Sequence, residues 1–549
     1  MIIDLLVRNA NVITVDDGTP RARSLAIHHG RVVALDDDLP ARHTVDLDGA
    51  TVVPGFGDAH NHMAWFGLAL DEIDLIGLDD LDTVYRLVAE KAAGLAPDDL
   101  VVGSGYDDNL LGAHPDRERL DAASGGRPVW LKHRSGHLCT VNTPLLQRIG
   151  VFDGRQAAPG GVIVRDPAGV PTGVLQEQAQ NLVVAEVTPY SLDRLEGALL
   201  AAGRRYAAEG LTHVTECGIG GGWLAKTPLE VAAYTRAREA GLAVRVRLMP
   251  SVDALHPVHG HPDDPLTFGL DLGLTTGFGD DLVRLGPMKI WTDGSLLGRT
   301  AAMREDFCGC RQRGYLQDDP ETMRRQIVAA HRSGWDVAAH AIGDTGVDFA
   351  LDTFEQAQRQ APRPDARHRI EHAGVVNPDQ IPRFAELRVT PVPQARFLYD
   401  IGDAMCAAVG EERADLLYRH ASFLAAGVRV PGSSDRPVAG GAPLNGIESM
   451  VLRRTSSGRV VGPSERVDVR TALRAYTLDA AWIAREEHTR GSLTPGKHAD
   501  FVVLGDDITA IDPHRIGGTE IVATVLAGLA THDPGVTGLP PRPPRTDTP

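Results

Sequence analysis

The sequence predicts an α/β fold: a (β/α)8 TIM barrel, a small β-sandwich formed from both chain ends, and a lobe inserted after barrel strand 1. Three observations predict it. Strand-rich pieces with turn glycines occur at both ends of the chain. Between them, amphipathic helical patterns that end in glycine alternate with short runs of Val, Ile and Leu. Eight such runs can be counted, and the repeated helix-then-strand order is that of a parallel sheet.

The N-terminal piece contains LLVRNANVITV, SLAIHHGRVVAL and HTVDLDGATVVP, with Gly30 and Gly49 where turns are needed. KHADFVVLGDD and EIVATVLAGLATH near the other end have the same character. Pairing the two pieces assigns a sandwich to 1–56 and 488–532 and a barrel to 57–487. The helix pattern LDRLEGALLAAGRRYAAEG places Leu192, Leu195, Leu199, Ala202 and Tyr206 near one face and precedes LTHVTEC. The eight strand runs are VVPGFGDAHNH, LTHVTEC, VRVRLMP, LGPMKIW, DVAAHA, HRIEHA, RVTPV and VRVPGSSD. About 140 residues separate the first from the second, which places the inserted lobe at about 70–190. The Pro-rich stretch 533–549 is expected to be disordered.

Composition narrows the function. A formal charge of −18 argues against nucleic acid and anionic membranes as partners. Five cysteines in 549 residues imply no disulfide framework, which suits a cytoplasmic protein. Cys308 and Cys310 read as two loop thiols before they read as a metal clip. An early Asp4, with no basic region leading into an apolar stretch, argues against a signal peptide, and no apolar run reaches membrane-spanning length.

The chemistry-bearing residues sit at the C-terminal ends of the proposed strands, where TIM-barrel sites are built. Asp58-Ala-His60-Asn-His62 ends the first strand, and alternation lets both imidazoles reach one ion. Lys289 lies on the fourth strand, His340 ends the fifth, His372 the sixth and Asp435 the eighth. Imidazole nitrogens with a carboxylate form a donor set for a divalent ion such as zinc.

These segments, with GPMKIWTDGSLLGRTA, AAHAIGD, RIEHA, GSSDRPV and GSLTPGKHADFVVL, resemble the amidohydrolase superfamily and, within it, amidohydrolase family 3, the branch that includes N-substituted formamide deformylases. The resemblance implies that His60, His62 and Asp435 hold one metal, and that His340 and His372 hold a second or contact the substrate. Lys289, carboxylated on its amine, would bridge two metals; Glu177 is the competing bridge. One or two divalent ions per chain are implied, zinc first among them.

The implied reaction is hydrolysis of a non-peptide C–N bond in an amide or formamide, with Asp435 as general base and then acid. A small-molecule substrate and a homodimer are further expectations. The alternatives are a deaminase or cyclic-ureide hydrolase of the same superfamily, or a non-catalytic regulatory protein on this scaffold. Asp293 and Ser295 are candidates to orient Lys289, and Asp58 to hold a histidine tautomer or close a turn. His133 and His137 are candidates for the pocket wall, and Arg299 for clamping an acidic substrate group.

Overall fold

The computed structural model describes residues 2–134, 138–158, 161–222, 224–261 and 263–543. It divides into two compact units, residues 1–66 with 199–549, and residues 67–198.

In the first unit the two ends of the chain share one sheet. Phe501–Leu504 runs antiparallel to Thr51–Pro54 with Val502 opposite Val53, and Ile521–Leu526 extends the same sheet. A second, four-stranded sheet is built around Ile3–Arg8. Leu5, Val7, Val32, Val52, Phe501, Val503 and Val525 form one apolar core, as alternating inward positions of facing sheets do. Residues 533–543, the described part of the Pro-rich stretch, bond to the sheet edge. Ala530 donates to Pro540 O at 2.8 Å, Arg542 donates back to Ala530 O at 2.9 Å, and Leu539 is buried in the sandwich core. Proline lacks an N–H but keeps its carbonyl, so a Pro-rich segment can still accept along a sheet edge.

The long middle supplies two four-stranded parallel sheets, the TIM-barrel-type part of the α/β fold. One orders Phe56–Asn61, Leu211–Ile219, Arg245–Pro250 and Val283–Leu285; the other orders Met288–Trp291, Val337–Ala341, Arg369–His372 and Thr390–Val392. A parallel bridge between Ser251 and Lys289 connects them. The expected fourth strand is split at Gly286-Pro287. The expected eighth, 428–435, is extended but forms no regular ladder. Pro431 contributes no donor, and the segment's bonds run instead to Ala59, His60 and Ala475. The helix Pro320–Arg332 shows why these residues pack as they do: Asp319 caps Thr322 N, and Met323, Ile327, Ala330 and His331 form its buried stripe. Gly57 is required by contact, because a Cβ there would lie 1.9 Å from the His213 ring.

The second unit carries a sheet ordered Val162–Arg165, Pro171–Gln176, Leu138–Val141, Val129–His133, Val101–Tyr106 and Ile73–Asp74 among the described residues. Leu75, Val84, Val88, Val101, Val129 and Leu131 pack on one side of it. Among the described residues, no helix is long and apolar enough to cross a membrane.

Several histidines are buried and neutral. Burial first, then nearby arginines, push His213 and His420 down to about 3, and burial does the same to His368. Unfolding returns each to an ordinary imidazole that takes up a proton near pH 6.5. The unfolded state therefore binds more protons between about pH 6.5 and pH 3, and stability falls as pH drops through that window. Each such histidine steepens the loss by up to about 1.4 kcal/mol per pH unit. Melting temperatures measured from pH 8 to pH 4 check this, and a flat profile below pH 6.5 would contradict it.

Candidate metal centre

Four imidazoles and one carboxylate meet where the parallel strands end. His60 is the fifth residue of Phe56–Asn61 and His62 lies just beyond it. His340 belongs to Val337–Ala341, and His372 ends Arg369–His372. Asp435 is delivered by the extended segment, whose N–H donates to His60 O at 2.8 Å. The backbone is strained at two of these positions, with φ of 69° at His372 and 59° at Asp435. Non-glycine residues keep such angles only where the surroundings enforce them, and such positions cluster at functional sites.

All four imidazoles are oriented through Nδ1. Glu371 carboxylate holds His60, Cys217 O holds His62 at 3.0 Å, Asp293 Oδ1 holds His340 at 3.0 Å, and Gln394 Oε1 holds His372 at 2.8 Å. That leaves every Nε2 as the free donor, the usual state of metal-ligating histidines. Asp435 Oδ1 lies 3.2 Å from His60 Nε2 and 3.0 Å from His62 Nε2. His60 Nε2 is fully buried yet has no hydrogen-bond partner. Ligand atoms of His60, His372 and Asp435 fall within 4.8 Å of one another. The His340 and His372 rings are 4.5 Å apart. These residues fit a divalent ion by donor type, spacing and orphaned lone pair.

The electrostatics agree. Burial pushes His340 down to about 3, helped by the Lys289 ammonium, and keeps His372 well below the ordinary range. Both rings are therefore neutral, as a ligand must be. Burial opposes ionisation of Asp435, but His60 and His62 beside it hold its carboxyl well below the usual range. Burial also opposes a charge on His60, yet Cys217, Glu371 and Asp435 raise its pKa well above the ordinary value. Positive charge is favoured at this point, so His60 itself holds a proton that a bound cation would displace.

Other predicted residues fall as follows. Lys289 is 1% exposed, with its amine 5.4 Å from the Trp291 ring centre. Glu177 belongs to the second unit, opening the 3-10 turn Glu177–Gln180. Asp293 orients His340 and not Lys289; it also accepts from Ala302, Ile342 and Gly343 N–H groups. Burial pushes its carboxyl up to about 7 against those three bonds. Ser295 accepts from Gly298 N at 3.0 Å in an exposed turn. Asp58 holds no imidazole. It accepts from His60 N, Asn61 Nδ2 and Ser434 N, tying the first strand to the Asp435 segment. His133 pairs with Asp108 at 2.9 Å in the second unit, and His137 lies outside the described residues. Arg299 donates to Cys310 Sγ at 3.1 Å.

Glu371, Arg369 and Gln394 were not anticipated. Arg369 clasps Glu371, which grips His60, so a buried chain of charge leads into the site. The pattern R-x-E ending at His372 held the clue, because alternate strand residues share a face.

A buried, oriented imidazole–carboxylate cluster at the ends of parallel strands has the donor set and position of a metal site on a TIM-barrel-type fold. The chain belongs to the amidohydrolase family, whose model matches residues 43–532. It is 31% identical to the protein named "Putative amidohydrolase YtcJ" of Bacillus subtilis (strain 168), over 90% of this chain and 91% of that one. It is 28% identical to an N-substituted formamide deformylase of Arthrobacter pascens, over 96% of this chain and 98% of that one. An uncharacterized metal-dependent hydrolase from Pyrococcus furiosus superposes with a TM-score of 0.75 at 26% identity, covering 92% of this chain and 99% of that one.

Proposed function

We propose that this amidohydrolase hydrolyses a non-peptide C–N bond, in an amide or an N-substituted formamide of a small molecule. The observation that carries the reading is the set of four imidazoles tied through Nδ1, with the His60 and His62 Nε2 atoms beside Asp435 and His372 in the same cluster. The deformylase among its relatives supports the substrate class.

His60, His62, His340, His372 and Asp435 would hold one or two divalent ions, zinc being the best match to the donors. When bound, such an ion supplies a Lewis acid and brings the pKa of water from 15.7 to about 7. Asp435 accepts the proton of the attacking water and returns it to the leaving nitrogen, acting as base and then acid. His340 and His372, whose Nδ1–H groups are taken by Asp293 and Gln394, present Nε2 lone pairs and would serve as ligands that polarise the substrate through the ion. Lys289, carboxylated, would bridge two ions; as an ammonium it has no lone pair to offer. Trp65 lies 5.9 Å from His62 and Phe397 lies 6.3 Å from His372, and such aromatic neighbours favour an apolar group on the substrate nitrogen.

The test combines elemental analysis with a panel of N-substituted formamides and amides, following release of amine and acid. Two equivalents of metal, a carboxylated lysine by mass spectrometry and amine release are expected. One equivalent with an unmodified lysine and ammonia release would move the assignment to a deaminase. Absence of metal after reconstitution would overturn it.

A further inference from the structure

At the opposite, N-terminal ends of the same parallel strands, arginines converge on a cavity of about 40 Å³. Arg247, Arg284, Arg367, Arg369 and Arg485 line it, with Asp336 as the one acidic wall residue. Three of the five have a carboxylate of their own. Arg485 pairs with Asp336 at 2.6 Å, Arg367 with Glu487 at 2.6 Å, and Arg369 with Glu371.

Arg247 and Arg284 do not. They are directly opposed register partners on adjacent parallel strands, an arrangement in which like charges repel. Both turn to Glu486, Arg247 in close contact and Arg284 at 3.7 Å, and Glu486 is also taken by Arg490. One carboxylate thus serves three guanidinium groups. Arg284 has a second acid, Asp281, but it is 3.9 Å away and more than half exposed. Arg247 is 2% exposed, and its Nε, like that of Arg284, is buried without a hydrogen-bond partner. Burial, followed by repulsion from Arg284 and Arg245, pushes the Arg247 guanidinium down to about 9. Arg247 also donates to Val246 O at 3.0 Å and Asp281 O at 3.3 Å, but these carbonyls carry no full charge, and buried cations that share a single counter-charge are unfavourable.

We infer that the N-terminal end of the strand bundle is a binding site for a small inorganic anion, held between Arg247 and Arg284. Guanidinium groups match oxyanions and halides alike. The cavity exceeds the space a water molecule needs but is far below the roughly 300 Å³ of a metabolite pocket, so the ligand is chloride or a single phosphate or sulfate group.

The metal-loaded protein is exchanged into sodium gluconate, then titrated with chloride, phosphate or sulfate at constant ionic strength while its melting temperature is followed. A saturable rise with one of these anions is expected. Saturation by chloride alone identifies a halide site; saturation by phosphate or sulfate identifies an oxyanion site. In Arg284→Gln the affinity should fall at least tenfold. In Glu486→Gln, which removes the shared carboxylate, it should rise. Crystals soaked in sodium bromide should show an anomalous peak between the Arg247 and Arg284 side chains if the site takes halides. A response equal to that in gluconate, or an Arg284→Gln protein that responds like the original, overturns the inference. If either variant fails to fold, the titration of the unmodified protein and the anomalous map decide: no saturable shift and no peak overturn it.

Discussion

Asn at position 435 is expected to lower kcat by roughly 10²–10⁴-fold while leaving the fold intact. The Asp435 carboxylate is the shared partner of His60 and His62, and its Oδ1 lies within 3.2 Å of both Nε2 atoms. An amide of the same shape keeps the backbone bond from residue 435 to His60 O. It loses the negative charge, however, and with it the capacity to take a proton from water. Circular dichroism should match that of the unmodified protein, while the melting temperature falls because the buried charge beside His60 and His62 is lost. Retention of near-full turnover by Asp435→Asn would remove Asp435 from the proton-transfer role.

Glu371→Leu should have a large effect on stability and metal binding together. Glu371 is fully buried between Arg369 and His60. Removing it strands the Arg369 guanidinium in the interior, a loss of about 3–5 kcal/mol. It also frees the Nδ1 of His60, and loss of such an orienting partner lowers metal affinity by roughly 10–100-fold. Urea unfolding and a competitive chelator titration measure the two effects separately. A double variant, Arg369→Met with Glu371→Leu, should recover much of the stability but not the affinity. If the affinity returned as well, Glu371 would be a packing residue and not an orienting one.

How much of this was legible beforehand depends on the range of the interaction. His60 and His62 were readable because their spacing and the strand period are local. The positions of His340 and His372 at strand ends followed from the repeated helix-then-strand order. The partners were harder. Asp293 was placed beside Lys289 because the two are four residues apart, yet it bonds His340, 47 residues away, through a neighbouring strand. Asp58 has two readings in the sequence, orienting a histidine or closing a turn; its bonds go to His60 N, Asn61 and Ser434, and Glu371, 311 residues distant, orients the His60 ring. For Asp293, nearness in sequence suggests the wrong partner, since a parallel sheet brings together residues a whole crossover apart. Residues 533–543 of the tail follow a related rule, bonding to Ala530 at the sheet edge. Its prolines argue against a regular strand, but not against accepting hydrogen bonds at the edge of one formed elsewhere.

The sheet that joins Thr51–Pro54 to Phe501–Leu504 sets a schedule for biosynthesis. From Pro54 to Phe501 the ribosome must add 447 residues (501 minus 54) before the partner strand exists. At about 5–20 residues per second that is roughly 20–90 s. During this interval the Val52 and Val53 backbone is an unpaired strand edge, available to other nascent chains. Shielding of that edge by chaperones should govern the yield of expressed protein, and a polar substitution at Val53 should improve the soluble fraction of chains truncated before residue 500.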